Sequence, residues 1–553
     1  MPSTIYKVIK NKSTKKLSIY DGPNDLPDAA DVATLAYVKS TNRLYVAVGT
    51  GWLPVISENT VPTWVSVPDV NVTILTGDTY DFTLAYADPE NIEGTFSYQL
   101  SSGSLGTNTL TTNNEDFSIA TNQAATFSIT FRASDTVNEI ISTTAFTVRR
   151  ERWNIEPTST INIDQTYANT YLGNAVAIDS TGNYAVAGAY NYGSPSSSSG
   201  KVTFLKRNGS SWTTLGESQS SDISLGDQFG YSLAIDGDLA IVGAWADDTG
   251  SSINNGSVYI FKRTNDVWTE TAKINGPASN NAFFGKSVAI LGDVVFIGSP
   301  GFNSNAGRVS SYITSDGGTT WTAGLNYSGS VSGELFGESI SASLKNSGGS
   351  TLAVGAPGDT LSQGAVVVYD NDINDWSTGG GATVNNTKLT GSQDASGDKF
   401  GQALQVVDDS LIIGVPFSDF NTLEGGLAYN FVYNTVNSSW SEDSIIQPES
   451  PGNYDHFGSS VSISDTSQYP ANTILDTVLV GAPNANGAVY GFYWSTQNNR
   501  YEQLTKLIGG LTGNSAFGTS VAVVGNYGLI GAINKDSDGG ISNVGQIYHV
   551  SLG

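Results

Sequence analysis

Four carboxylates recur at one position of a repeated phrase. Asp227, Glu334, Asp398 and Asp455 each stand two residues before a phenylalanine followed by glycine, at Phe229, Phe336, Phe400 and Phe457. Carboxylates gathered round one opening supply hard oxygen ligands of the kind Ca2+ takes, typically about six to eight per ion. If the strands that begin at these phenylalanines share one end, the four acids ring the mouth of a channel and make a candidate cation site. The competing reading is a set of turn caps, in which each carboxylate accepts backbone N–H groups of its own loop. Asp536 and Asp538 in "DSDGG" form a further acid pair on a loop. Asp370, Asp372 and Asp375 in "DNDIND" begin like a Ca2+ loop but place Asp375 where glycine is required.

A second set is aromatic. Tyr190, Tyr192, Trp245, Phe302, Phe417 and Phe420 fall in polar loops beside Asp, Asn and Ser. Exposed rings in such loops suit recognition of a sugar or a protein surface. The alternative for Tyr190 and Trp245 is packing.

Other chemistry is thinly represented. The 553 residues hold no cysteine and two histidines, so thiol catalysis and thiolate metal sites are absent. His456 and His549 have no metal-ligand spacing and read as packing residues. No G-x-S-x-G elbow, phosphate loop or H-E-x-x-H occurs. Carboxylate pairs for glycoside hydrolysis are defined by geometry, which a sequence does not print. The expectation is a non-enzyme without a cofactor. Net charge is −26, which repels nucleic acid. Lys7, Lys10, Lys12, Lys15 and Lys16 make the first twenty residues a basic exception, able to dock on an acidic partner or to guard a hairpin edge. No apolar run is long enough to span a membrane, and the N-terminus does not read as a signal peptide.

The elements that must position these residues are strands. Gly (62) and aromatic residues are abundant, and helical apolar spacing is missing, so the chain reads as all-β. The Phe-Gly phrase occurs at Leu172-Gly173 in degenerate form, then at Phe229, Phe284, Phe336, Phe400, Phe457 and Phe517. Each is answered by a Gly-small pair, at Gly188, Gly243, Gly298, Gly355, Gly414, Gly481 and Gly531. Self-similarity at this period indicates a propeller or solenoid. Within one copy, "YSLAI" and "LAIVGA" flank an Asp236-Gly237 hairpin turn, then come a polar loop, the strand "SVYIFKR", and a fourth strand marked by Trp268. Trp212, Trp321, Trp376, Trp440 and Tyr501 mark the fourth strand elsewhere. The last copy stops after its third strand, and "RERWNIEP" upstream of the first copy supplies the missing one. That offset closes a ring and removes exposed edges. Gly230 and Gly243 are expected to allow close backbone approach, with Phe229 between sheets.

Residues 151–553 resemble FG-GAP repeats, as in the seven-bladed propeller of integrin α-chains, and more closely the short bacterial and viral variety. The resemblance implies that the Phe-Gly and Gly-Ala motifs, with the loops after them, point to one face. It also implies a Ca2+ loop between the first and second strands of a blade. Here "DGD", "LGD" and "DDS" turns stand instead, so that calcium is not carried over.

Residues 58–148 alternate as strands of a sandwich resembling Ig-like or cadherin-like modules, with Asp88, Glu90 and Asp135 as a possible interdomain cation site or as turn caps. Residues 1–57 resemble a short module of marine phage structural proteins. The expected organisation is an N-terminal β-rich anchor over 1–57, the sandwich over 58–148, and a seven-bladed propeller over 149–553, whose last blade takes its outer strand from 149–157. The resemblances imply a tailed-phage virion protein, a tail fibre, baseplate or other surface component. It would attach to other virion proteins through 1–57 and to a host surface glycan or protein through the propeller, with homo-oligomers possible. A purely structural decoration or joint protein and a bacterial surface adhesin are the alternatives.

Overall fold

In the computed structural model, the described part of the first sixty residues is Ser18–Tyr20, Asn24, Leu26, Leu35–Val38, Arg43–Ala47 and Trp52–Val55. From 61 to 552 it describes all but 76–78, 88–94, 106–107, 114, 121–124, 135–137, 150–152, 162–166, 194–197, 210, 223, 347, 372–375, 377–383, 465–476, 485–486, 496–499, 510–514 and 538–539. The basic residues Lys7 to Lys16, the acids Asp88, Glu90 and Asp135, and Asp372, Asp375 and Asp538 therefore lie outside the described residues. The chain is all-β and divides into two compact units, Met1–Glu151 and Arg152–Gly553.

In the first unit, Ser18–Tyr20, Leu35–Val38, Arg43–Ala47 and Trp52–Val55 form one four-stranded sheet. Further on, two sheets share a core. One runs in the order Asn71–Leu75, Glu139–Arg149, Ala125–Ser134, Thr95–Gly103, and the other in the order Thr109–Asn113, Asp116–Ala120, Thr79–Thr83. Strict alternation drives this. In "ATFSITFRAS", Phe127, Ile129 and Phe131 point inward and are fully buried. They meet Phe117 and Ile119 of the facing sheet. Phe82 stacks on Phe117 at 5.2 Å between ring centres and meets Phe131 edge-on at 5.5 Å.

The second unit contains seven four-stranded antiparallel sheets among its described residues, an arrangement consistent with a propeller. In the sheet that begins at Ser232, the strands are Ser232–Asp236, Leu239–Ala244, Ser257–Thr264 and Val267–Asn275, hydrogen-bonded in that order. The first turn is tight because Gly237 takes φ 56°. The second strand of this sheet, "LAIVGA", is buried along its whole length, as a strand covered on both faces must be. Five sheets carry a register shift at the same place between third and fourth strands, for example at Ile260/Phe261 and Asn430/Phe431.

One sheet joins the two ends of this unit. Trp153–Ile161 lies antiparallel to Gln546–Leu552, pairing Trp153 with Leu552, Ile155 with Val550 and Ile161 with Ile547. Tyr527–Ala532 and Phe517–Val524 complete it.

Neighbouring sheets meet through backbone. A side chain at Gly243 would drive into the carbonyl oxygen of Gly285 in the next sheet, and likewise Gly188 into Gly230, Gly298 into Gly337, Gly355 into Gly401, Gly414 into Gly458 and Gly481 into Gly518. Gly531 of the last sheet meets Gly173 of the first. At five of these joints a serine three residues after the phenylalanine donates to the same carbonyl: Ser232 to Gly285 (2.7 Å), Ser287 to Gly337 (2.6 Å), Ser339 to Gly401 (2.7 Å), Ser460 to Gly518 (2.9 Å) and Ser520 to Gly173 (2.7 Å). Phe229, Phe284, Phe400, Phe457 and Phe517 are wholly buried. Side-chain cores span the joints too. Ile161, Leu529 and Ile547 of the last sheet pack with Leu172, Ala185 and Leu205 of the first.

Trp376 corrects the sequence reading. The fourth strand of its sheet is Val384–Leu389, and Trp376 lies before it. Its indole fills the core shared with the preceding sheet, edge-on to Phe296 at 5.0 Å, while its N–H donates to Ser350 Oγ at 3.1 Å. A buried tryptophan needs both an apolar slot and an acceptor; Phe296 of the preceding sheet lines the first and Ser350, in the second strand of its own sheet, supplies the other.

Candidate binding face

Antiparallel succession fixes which connections share an end. In each sheet the start of the first strand, the loop between second and third strands and the exit of the fourth strand lie together. The tight first-to-second and third-to-fourth turns lie at the opposite end. Bridges across the joints tie these loops to the Phe-Gly entries, at Gly200/Phe229, Gly307/Phe336, Gly364/Phe400, Gly426/Phe457 and Gly545/Leu172.

The entries are built with an unusual backbone. The residue before each phenylalanine (or Leu172) has φ between 51° and 61°: Tyr171, Gln228, Phe283, Leu335, Lys399, His456 and Ala516. The glycine after it is also left-handed, between 86° and 94°. Left-handed conformations disfavour ordinary side chains, so the joint holds these residues against their preference. That hold aims N–H groups across the joint: Gln228 N–H donates to Ser198 and Phe229 N–H to Ser199.

The four repeated carboxylates serve these entries. Asp227 accepts from Ser224 N–H at 2.7 Å, Asp398 from Ala395 N–H at 3.0 Å and Asp455 from Gly452 N–H at 2.9 Å. Glu334 takes both the N–H (2.8 Å) and the hydroxyl (2.9 Å) of Ser330. Each is turned into its own loop, and Asp227, Glu334 and Asp398 are buried. No group of three or more potential ligands able to hold a metal exists among the described residues. Of the two readings of these acids, the hydrogen bonds are those of turn caps. Asp536 is exposed and accepts from Asn543 N–H at 2.8 Å, the same local use. Burial raises Asp227 to about 6, against the pull of the Ser224 N–H, and raises Asp398 as well.

Two sheets handle a buried acid at this end differently. Lys273 sits between Asp222 and Asp247 at 2.7 and 2.6 Å, and the Tyr259 hydroxyl donates to Asp222 at 2.7 Å. In the sheet that pairs Tyr429 with Ile445, the lysine position is apolar. Asp394 there accepts from Gly391 N–H at 2.6 Å and from the Tyr429 hydroxyl, with no cation beside it among the described residues to match Lys273. Burial, with Asp398 and Glu442 nearby, raises its carboxyl to about 6. A raised carboxylate is a liability above its folded pKa that disappears as pH falls below the unfolded value. Asp394→Asn should therefore stabilise the protein by about 1–2 kcal/mol at pH 8, discounted for partial exposure, and by almost nothing at pH 4. Denaturant unfolding of both proteins at the two pH values measures this; a gap that widens at low pH would contradict it.

The six aromatic candidates do reach this end, but mostly as packing. Tyr171, Tyr190, Tyr231, Trp245 and Phe283 form a continuous run across three sheets, with successive ring centres 5.5, 5.4, 5.8 and 5.1 Å apart. Lys286 lies over Tyr231 and Trp245 at 4.2 and 4.7 Å. Burial among these rings pushes the Tyr190 hydroxyl up to about 12. Tyr192 lies under Lys201 at 3.8 Å, Phe302 under Arg308 at 4.2 Å, and Phe417 packs on His456 at 4.7 Å with Lys399 at 4.5 Å. These five are half-buried, which corrects the expectation that they are exposed; Phe420 alone is exposed. His456 bonds Glu424 at 3.1 Å and Asn484 at 2.8 Å, so it couples neighbouring loops.

What the sequence reading missed is aliphatic apart from one tyrosine. Leu225, Ile253, Val331 and Leu361, then Leu423, Tyr454 and Ile508, are exposed at this end together with Phe420. Only Val267, Leu344 and Val436 are exposed large apolar residues at the opposite turns of the unit, among the described residues. The signal was present as apolar residues inside Gly- and Ser-rich loops, where no periodicity marks them.

No curated protein matches the chain. Among solved structures, the periplasmic gluconolactonase PpgL of Pseudomonas aeruginosa aligns at 12% identity over 69% of this chain and 92% of its own, with a TM-score of 0.41. Sqt1 of Saccharomyces cerevisiae aligns at 11% identity over 68% and 83%, with a TM-score of 0.38. In sequence, residues 212–261, which run from the fourth strand of one sheet to the third strand of the next, match the family described as FG-GAP repeat.

Proposed function

We propose that the second unit is a closed seven-bladed propeller of FG-GAP type that recognises a partner through the end carrying the Phe-Gly entries, without catalysis. The carrying observation is the concentration of exposed apolar side chains there, while the acids are turned inward to cap loops. Strand faces are consumed by blade packing, so recognition falls to loops. Leu361 (83% exposed) and Phe420 (44% exposed) are the anchors of this reading. Exposed apolar side chains gathered at one end support the reading of an interaction surface.

The two-sheet core of the first unit is the Ig-like or cadherin-like spacer in this reading, and residues 1–57 are the particle-attachment module of a tailed-phage virion protein. The acidic charge and the resemblances of the sequence support that setting. Adsorption tests the face directly. Leu361→Ala combined with Phe420→Ala should weaken attachment of particles, or of purified protein, to intact host cells by about thirtyfold, since anchors of this type are worth roughly 2 kcal/mol. Its melting should match the parent protein, because neither side chain is in a core. Normal adsorption by the folded double variant would remove this face from recognition.

A further inference from the structure

We propose that the strand Thr95–Gly103 is a self-association edge, at which two copies of the chain pair antiparallel about Gln99. The strand is the outermost of its sheet and is bonded on one side only, to Ala125–Ser134. Its residues are exposed apart from Phe96, which is half-buried. An edge of this length presents unpaired N–H and C=O groups, and natural proteins guard such edges with charge, proline or a covering element. This one has none of these guards among the described residues. Residues 95–113, which include the neighbouring edge strand Thr109–Asn113 of the facing sheet, hold no charged residue and no proline. The outer strands of the second unit are different. All but Thr322–Ser328 carry charge, for example Glu217, Lys388, Glu442 and Arg500.

The occupant follows from the pattern of the strand itself. Phe96, Tyr98 and Leu100 lie on the inter-sheet side, where Tyr98 meets Phe117 edge-on at 5.3 Å and Leu100 pairs with the buried Ile129. Tyr98 and Leu100 nevertheless remain 45% and 41% exposed, because the sheet ends beside them. A two-fold axis through Gln99 sets Tyr98 against Leu100 of the second copy and Leu100 against its Tyr98. Aromatic–aliphatic cross-strand pairs of this kind stabilise sheets, and a two-fold interface must be self-complementary in this manner. The chain carries a net charge of −26, so two copies repel wherever acids face one another. A neutral strand is where they can approach.

Gln99 faces away from the inter-sheet core, so substitutions there test pairing rather than folding. The full chain should sediment as a dimer at micromolar concentration. Gln99→Lys and Gln99→Glu should each weaken self-association by roughly tenfold or more, since like charges then stand directly opposed, and an equimolar mixture of the two should restore it. The chain lacks cysteine, which makes cross-linking unambiguous. Directly opposed residues have Cα atoms about 4.5–5.5 Å apart, within disulfide range. Gln99→Cys should therefore oxidise to a covalent dimer. Ser97→Cys should not, because in this register the two copies of position 97 lie about 13 Å apart. A monomeric wild-type chain would overturn the proposal, as would a dimer indifferent to both charged variants. Equal cross-linking of the two cysteine variants would also overturn it, as would an edge occupied by the chain's own residues 1–17 within a monomer.

Discussion

Alanine at Gly531 should destabilise the second unit by about 3 kcal/mol or more in denaturant unfolding. The added Cβ would drive into the carbonyl oxygen of Gly173, a backbone atom that cannot rotate away. Overpacking of a core commonly costs about 1–3 kcal/mol when side chains can yield, and a backbone neighbour yields less. The Ser520–Gly173 hydrogen bond is disturbed by the same displacement. Gly216 is the control. It lies in a fourth strand, a methyl group added there would meet nothing within 4 Å, and it does not require positive φ, so Gly216→Ala should be neutral or stabilising by about 0.4–1 kcal/mol. Equal effects at the two positions would show that the last and first sheets are not in backbone contact.

Removing the strand Trp153–Ile161 should cost more still. A protein starting at residue 162 forfeits five paired positions against Gln546–Leu552 and the burial of Ile161. At about 1 kcal/mol per hydrogen bond and about 1.5–3 kcal/mol for the isoleucine, the loss approaches 5 kcal/mol or more. Relative to a protein starting at residue 148, its melting temperature should fall by roughly 10 °C. Indistinguishable melting curves would mean that the strand contributes nothing to the last sheet.

The repeat made much of this legible. Phe-Gly and Gly-small pairs recur at one period because every joint needs the same close approach, so a fixed backbone requirement writes itself into sequence. The serine of the joint was equally periodic, at Ser232, Ser287, Ser339, Ser460 and Ser520. Its purpose was not legible, since the acceptor lies in another sheet, some fifty to sixty residues on as from Ser232 to Gly285, or back at the first sheet as from Ser520 to Gly173. The carboxylates were ambiguous for a related reason. Residue type and position are shared by a cation ring and by turn caps, and only the direction of the side chain separates them. Trp376 failed because a tryptophan in a connecting segment looks like a tryptophan in a strand until its slot against Phe296 is seen. The exposed leucines were hidden by the rule that apolar means buried, which the loops at this end do not obey.

The sheet stitched from both ends of the second unit also sets a timetable. Trp153–Ile161 leaves the ribosome long before its partner Gln546–Leu552 is made. With about 390 residues between them and synthesis at about 5–20 residues per second, the wait is roughly 20–80 s. Six sheets can form in that interval, but the first must hold Leu172 and Ala185 without the cover that Leu529 and Ile547 later provide. The nascent chain therefore carries an uncovered apolar flank and an unpaired strand until Gln546–Leu552 emerges. Emergence of Gln546–Leu552, rather than of any earlier sheet, is the moment at which that flank is covered.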